Sequence, residues 1–178
     1  MKFLQQYIRV VDRLNETIGR GVVWLSSFLV LVVCYDVFTR YILKTSSVAV
    51  QELEWHIFAV LFLIAAAYSL KHDRHVRVDV FYLKFSRRGK AWVDFLGSLV
   101  FLVPLCIVAI LASQHFVLNS FRIGEISPDP GGLPARYLLK AAIPLGFFLL
   151  LLQGLSLSFR SLLTLLGKPL KTGEDRHE

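Results

Sequence analysis

The chain has 178 residues, 55% of them apolar, with a mean hydropathy of +0.58 and a formal net charge of +7. Soluble domains are about 45–50% apolar, and the excess lies in long charge-free runs, which excludes an ordinary soluble globular domain and indicates membrane spans. Membrane proteins collect Lys and Arg in their cytoplasmic segments, so the basic balance does not require nucleic acid, and no nucleic-acid partner is expected.

The first twenty residues are expected to form an amphipathic helix lying on the membrane surface. Their apolar residues recur at helical spacing from Phe3 to Ile18, opposite a polar face. Charges between Arg9 and Glu16 interrupt the apolar stretch that a cleavable signal peptide needs, so none is expected. The alternative is that the segment simply extends the first spanning helix into the cytoplasm.

Four spanning helices are predicted, so the chain is expected to be an all-α integral membrane protein with a single domain over 1–178. The apolar runs place the spans at about 21–43, 49–70, 92–119 and 135–166. Pro104 lies inside the third span and is expected to kink it. Pro134 is expected at the start of the fourth span, where a missing N–H is tolerated.

Lys and Arg are divided unevenly between the two sides of these spans. Fifteen of the twenty lie in the amino-terminal segment, the loop between the second and third spans, and the carboxy-terminal end. The other five are Arg40, Lys44, Arg122, Arg136 and Lys140. Because cytoplasmic segments carry the excess, both termini are expected in the cytoplasm.

Charged side chains near the span ends are candidates for structural or partner contacts. Asp36 and Arg40 lie one helical turn apart and can pair. Glu52 and Glu54 open the second span, where acids suit the positive end of the helix dipole. Arg40 is expected to pair with Glu52 or Glu54, which would fix the first two helices to each other or to a partner.

Two glycines in the fourth span indicate close helix packing. Gly146 and Gly154, with Leu150 between them, lie on one helix face at steps of four residues. Small residues of this kind let a second helix approach closely, so this face is expected to meet another helix.

No catalytic, cofactor or metal site is predicted, because the sequence has no glycine-rich phosphate loop and no nucleophile elbow. One alternative is a haem b-binding membrane anchor of a redox complex. It rests on His56 and His115, since membrane cytochromes hold haem between histidines of different helices. Another is a small autonomous exporter, which requires an acid inside the membrane, for which Asp36 is the candidate.

Three motifs are informative in combination. They are QELEWH at 51–56 before an apolar helix, KHD at 71–73 followed by HVRVD at 75–79, and SPDPGGLPAR at 127–136. With the four spans, they resemble the small membrane subunit (DctQ-like) of a TRAP, or tripartite ATP-independent periplasmic, transporter. Glu52, Glu54, His75 and Asp79 match that family's pattern.

The resemblance implies a three-part transporter in the bacterial inner membrane. A periplasmic solute-binding protein captures the solute, often an organic acid, and a large membrane subunit carries the substrate and ion sites. The small subunit packs against the large one and helps to dock the binding protein. The implied partners are therefore the large subunit, the binding protein and membrane lipid, with structural or contact roles for the four matching residues.

Overall fold

The computed structural model describes residues 2–72, 82 and 85–168. The helices are α1 (Lys2–Tyr41), α2 (Val48–Lys71), α3 (Arg87–Leu96), α4 (Val103–Arg122) and α5 (Arg136–Leu165), and a π-helical turn, Gly97–Leu102, joins α3 to α4. Four segments are long and apolar enough to cross a membrane: α1, α2, the joined helix Arg87–Arg122, and α5. The prediction of an all-α protein with four spans is confirmed.

The predicted limits of the second and fourth spans agree with α2 and α5 to within one residue. Pro134 lies just before α5 instead of inside its first turn, because Ala135, at φ +60°, is the residue that caps the helix. The third span is longer than expected. Its start is capped by Ser86, whose hydroxyl accepts a hydrogen bond from the N–H of Gly89 at 3.2 Å.

The amino-terminal segment is continuous with the first span. Residues 2–41 contain no proline, and nothing interrupts α1. Ile8 and Val11 are buried, and the hydroxyl of Tyr7 donates to the carbonyl of Leu152 in α5 at 3.2 Å. The segment is helical, as expected, but it is not the separate surface helix that its pattern suggested: it extends the first span and packs against α5.

Helix α5 lies at the centre of the bundle and contacts each of the other four helices described above. The apolar core joins Leu149 and Leu150 of α5 to Ala67 and Leu70 of α2 and to Cys106 of α4. Small residues elsewhere on α5 allow these close contacts, because short side chains let the neighbouring helices approach its backbone.

The irregularity expected at Pro104 is a π-helical turn directly before it. The N–H of Val103 donates to the carbonyl of Ser98, five residues back. Proline cannot donate the next hydrogen bond of a regular helix, and a wider turn beside it accommodates that loss. The hydroxyl of Ser98 also lies 2.7 Å from that of Ser158 on α5, so the turn is fixed against the central helix.

The bundle has two ends. The terminal end contains the start of α1, the end of α2, the start of α3 and the end of α5. The connector end contains the end of α1, the start of α2, the end of α4 and the start of α5. Contacts between Glu16 and Lys71 at one end, and between Glu52 and Arg136 at the other, fix this arrangement.

Replacing Gly146 by alanine is expected to lower the thermal unfolding temperature. The added Cβ would lie 2.8 Å from the carbonyl oxygen and 2.9 Å from the Cβ of Leu63 on α2, so the two helices would have to separate. Overpacking of this kind costs about 1–3 kcal/mol. The measurement is tryptophan fluorescence during heating of the purified protein in detergent.

The matched control is Gly97→Ala, because nothing lies within 4 Å of a Cβ added at Gly97. That substitution is expected to leave stability unchanged or raise it by about 0.5–1 kcal/mol, since alanine is the better helix former. Equal behaviour of the two variants would show that α2 and α5 do not approach as closely as described.

Candidate functional site

The connector between α4 and α5, residues 123–135, is held against the start of α2 by one carboxylate. Glu52 is 4% exposed. One of its oxygens accepts from the hydroxyl of Ser127 at 2.5 Å, and the other accepts from the backbone N–H of Leu133 at 2.5 Å. The guanidinium of Arg136 lies 3.7 Å away. A buried carboxylate needs both hydrogen bonds and an opposite charge, and these partners supply them.

The connector closes on itself around this carboxylate. The N–H of Ser127 donates to the carbonyl of Leu133 at 3.1 Å, and its hydroxyl accepts from the N–H of Asp129 at 3.1 Å. A Cβ at Gly132 would lie 2.4 Å from the Ser127 hydroxyl and 2.7 Å from Glu52. Glycine is therefore required there, and the Pro/Gly-rich sequence specifies one defined loop.

A second contact secures the connector to α5. The carboxylate of Glu125 forms an ion pair with Lys140, whose ammonium lies 3.9 Å from the centre of the Phe116 ring. The hydrogen bond from Lys140 lowers the pKa of Glu125 below its ordinary value. The backbone carbonyl of Glu125 also accepts from the N–H of Arg136 at 3.0 Å.

Arg40 pairs with Asp36, one turn earlier on α1, as their spacing predicted. Glu52 is engaged by the connector, so the expected pair between Arg40 and Glu52 is not formed. Glu54 lies close enough to Asp36 and Arg40 for their charges to act on it. Its Oε1 is buried and accepts no hydrogen bond from the residues that the structure describes. Charges of α1 and α2 therefore meet at Glu54.

A buried polar network joins α1 to α5 at the terminal end. The side-chain amide of Asn15 donates to the carbonyl oxygen of Gln153 at 2.7 Å, and Asn15 is 1% exposed. Asp12 accepts from Gln153 at 3.2 Å and pairs with Arg160 at 2.5 Å. Sequence reasoning missed this network because it assigned the polar face of residues 1–20 to solvent.

Glu16 connects α1 to the end of α2. Its carboxylate lies 2.5 Å from the ammonium of Lys71 and 3.0 Å from the ring of His72. His75 and Asp79, which belong to the same sequence motif, lie outside the described residues. The structure therefore describes only Lys71 and His72 of that motif.

Gly146 and Gly154 both meet helices of this same chain. Gly146 faces Leu63 of α2, and a Cβ at Gly154 would lie 2.9 Å from the side chain of Leu102 in the π-helical turn. Their close contacts thus hold the second and third spans against α5.

The two histidines that suggested haem line different cavities. His56 lies beside Ile57 and Val60 of α2, with its ring Nδ1 2.5 Å from the carbonyl of Glu52. His115 lines a cavity with Phe116 and Arg122 of α4. Each ring thus lines a cavity of its own among those described.

The centres of the spans carry no Asp, Glu, Lys or Arg, as residues 21–35, 57–70, 95–121 and 141–159 show. The charges that pair are those at the two ends. Fold and contacts together define a multi-pass, all-helical membrane protein whose charged groups fix helix ends and one connector.

Residues 29–164 match the model of the family described as tripartite ATP-independent periplasmic transporters, DctQ component. The chain belongs to this family, as its motifs suggested. It is also 24% identical over 118 residues to the sialic acid TRAP transporter small permease protein SiaQ of Vibrio cholerae. That match covers 66% of this chain and 66% of the relative's length.

Glu52→Ala is expected to free the connector. The N–H of Leu133 loses its carboxylate acceptor, and a hydrogen bond to a charged group contributes about 1.5–3 kcal/mol. Hydrogen–deuterium exchange at Leu133 should therefore become about ten- to a hundredfold faster. Gln51→Ala is the control, because Gln51 bonds to Ser46 outside the connector. Unchanged exchange at Leu133 would contradict the described contact.

Glu125→Gln is expected to destabilise the protein fully above the ordinary pKa of glutamate, about 4.5, and progressively less below it. The folded-state pKa is lowered, so the ion pair with Lys140 stabilises fully above the unfolded-state value and is lost as pH falls through the folded-state value. The difference in Tm between wild type and variant should be constant from neutral pH to about pH 5 and shrink below that. A difference that persists at lower pH would contradict the pairing.

Proposed function

We propose that this chain is the small accessory membrane subunit of a TRAP-type secondary transporter. In this role it scaffolds the large transport subunit and helps to dock the periplasmic solute-binding protein, without catalysing a reaction. The observation that carries the proposal is the charge-free centre of the bundle. Transporters and pumps place ionisable residues along the solute or ion path. Here the apolar core consists of aliphatic and small side chains, and the buried pair of Asn15 and Gln153 beside it is uncharged.

We further propose that the connector is the docking surface for the solute-binding protein. The connector end carries only five of the twenty Lys and Arg, which supports a periplasmic location with both termini in the cytoplasm. Ile123 is 66% exposed and Ile126 is 65% exposed on this loop. Exposed apolar side chains on a fixed loop suit a protein contact.

The transported solute is proposed to be an organic acid taken up by ion-driven symport. The family and the name of the Vibrio cholerae relative, which refers to sialic acid, support this class. On this proposal the other two proteins select the solute, and this chain forms a single membrane domain in the bacterial inner membrane.

Co-expression with the large subunit tests the accessory role. A tag on this chain should recover the large subunit in equal amount, and proteoliposomes should take up solute only when this chain, the large subunit and the binding protein are all present. Solute uptake by this chain alone would overturn the proposal, and so would full uptake in its absence.

The same assay tests the docking role through Ile126→Glu. Burying a charge in an apolar contact is costly, so uptake should fall while recovery of the large subunit stays unchanged. Leu166→Glu is the matched control, because Leu166 is also exposed but lies at the terminal end. Equal effects of both substitutions would argue against docking at the connector.

A further inference from the structure

A groove of about 380 Å³ opens between α2, α4 and α5 at the connector end. Along α2 its wall consists of Trp55, Ala59 and Leu63, which follow one another at intervals of one turn. Along α5 the wall begins with Arg136 and Lys140 and continues to more deeply placed apolar residues. The lining therefore changes from charged and aromatic to purely apolar within eight residues, or about 12 Å.

The two cations at the mouth are held by aromatic rings. The guanidinium of Arg136 lies 5.7 Å from the centre of the Trp55 ring, and the ammonium of Lys140 lies 3.9 Å from that of Phe116. Trp55 and Phe116 are both exposed. Tryptophan side chains at span ends sit at the level of lipid headgroups, which places the mouth of the groove, beside Trp55, at that level.

Arg136 retains donor capacity in this position. Its nearest carboxylate, that of Glu52, is 3.7 Å away, longer than a hydrogen bond. Its Nε is buried and donates to no acceptor among the described residues. The Arg136 side chain as a whole is 24% exposed, so an anionic oxygen in the groove can approach its guanidinium.

We propose that this groove is a binding site for one phospholipid of the surrounding leaflet. The phosphate accepts from Arg136 and Lys140, and one acyl chain runs inward along Ala59, Leu63 and Ile143. Arginine and lysine are the usual donors to phosphate oxygens, and the deeper wall offers only apolar contact. The groove volume falls in the range of small-molecule clefts, which suits one chain with its headgroup at the mouth.

The charge balance of the mouth selects the class of lipid. Glu52 and Glu125 offset the charges of Arg136 and Lys140, so the four groups sum to zero. A strongly anionic headgroup would meet the two carboxylates, whereas a zwitterionic one can place its phosphate on the cations and its ammonium toward Glu125. We therefore infer that phosphatidylethanolamine is preferred over phosphatidylglycerol.

The test measures the phospholipid that stays bound during delipidation. The complex with the large subunit, and separately this chain alone, are exchanged from vesicles of phosphatidylethanolamine and phosphatidylglycerol into detergent and examined by native mass spectrometry. Wild type should retain one phosphatidylethanolamine per chain. Ala59→Phe fills the apolar part of the groove. Lys140→Gln removes one phosphate donor, together with its ion pair to Glu125, while leaving the contacts of Glu52 intact. Lys140→Gln should lower retention about tenfold, as expected for losing one charge-assisted contact, and Ala59→Phe should lower it because the larger side chain occupies the space of the acyl chain.

Matched controls separate the groove from general lipid binding. Ala112→Phe enlarges an exposed alanine of α4 outside the groove, and Lys44→Gln removes a cation at the same end of the bundle. Both should retain lipid like wild type. Unchanged retention in Ala59→Phe and Lys140→Gln would overturn the proposal. So would lipid bound to the isolated chain but expelled in the complex, which would assign the groove to the large subunit. Failure to recover the large subunit would count against the proposed function alone, because retention is also measured on this chain.

Discussion

The carboxylate of Glu52 has to be neutralised and hydrogen-bonded where the second span begins, and much of the connector end is arranged around that requirement. Its two oxygens accept from the hydroxyl of Ser127 and from the backbone N–H of Leu133, both in the connector. The nearby guanidinium of Arg136 balances the charge at the first turn of α5. One buried group thus fixes the relative positions of α2, α5 and the loop, since moving any of them would leave a buried charge without partners.

At the terminal end, side-chain hydrogen bonds and ion pairs between helices fix the relative positions of α1, α2 and α5. Amide and carboxylate groups of α1 bond to Gln153 and Arg160 of α5, and Glu16 bonds to the end of α2. Between the two ends, the helices associate through close packing of complementary surfaces. Apolar side chains gain little free energy there from contacting each other instead of lipid. Gly146 and Gly154 of α5 allow this close packing, because Leu63 and Leu102 can approach the helix backbone beside them.

The spans and most of their limits follow from the sequence because long charge-free runs have few alternatives in a membrane protein. The continuity of α1 with the amino-terminal segment does not follow from the sequence, because an amphipathic pattern alone does not indicate whether the polar face meets water or another helix. The choice was decided by Gln153 and Arg160, about 140 residues away in the sequence. For the same reason the pair of Asp36 with Arg40 was predictable from local spacing, whereas the engagement of Glu52 by Ser127 and Leu133 depended on how the connector folds. The sequence shows Glu52 before an apolar helix and, separately, the SPDPGG turn, but neither motif indicates that the two are in contact.

The closed connector has a mechanical consequence. Ser127 and Leu133 are bonded to the same carboxylate, so this part of the loop cannot bend away from the bundle without breaking those bonds. A load on the loop passes instead into the first turns of α2 and α5, and α5 contacts the other four helices that the structure describes. A force on residues 123–135 is therefore transmitted to the whole bundle. A protein that binds this short loop could displace the membrane helices together.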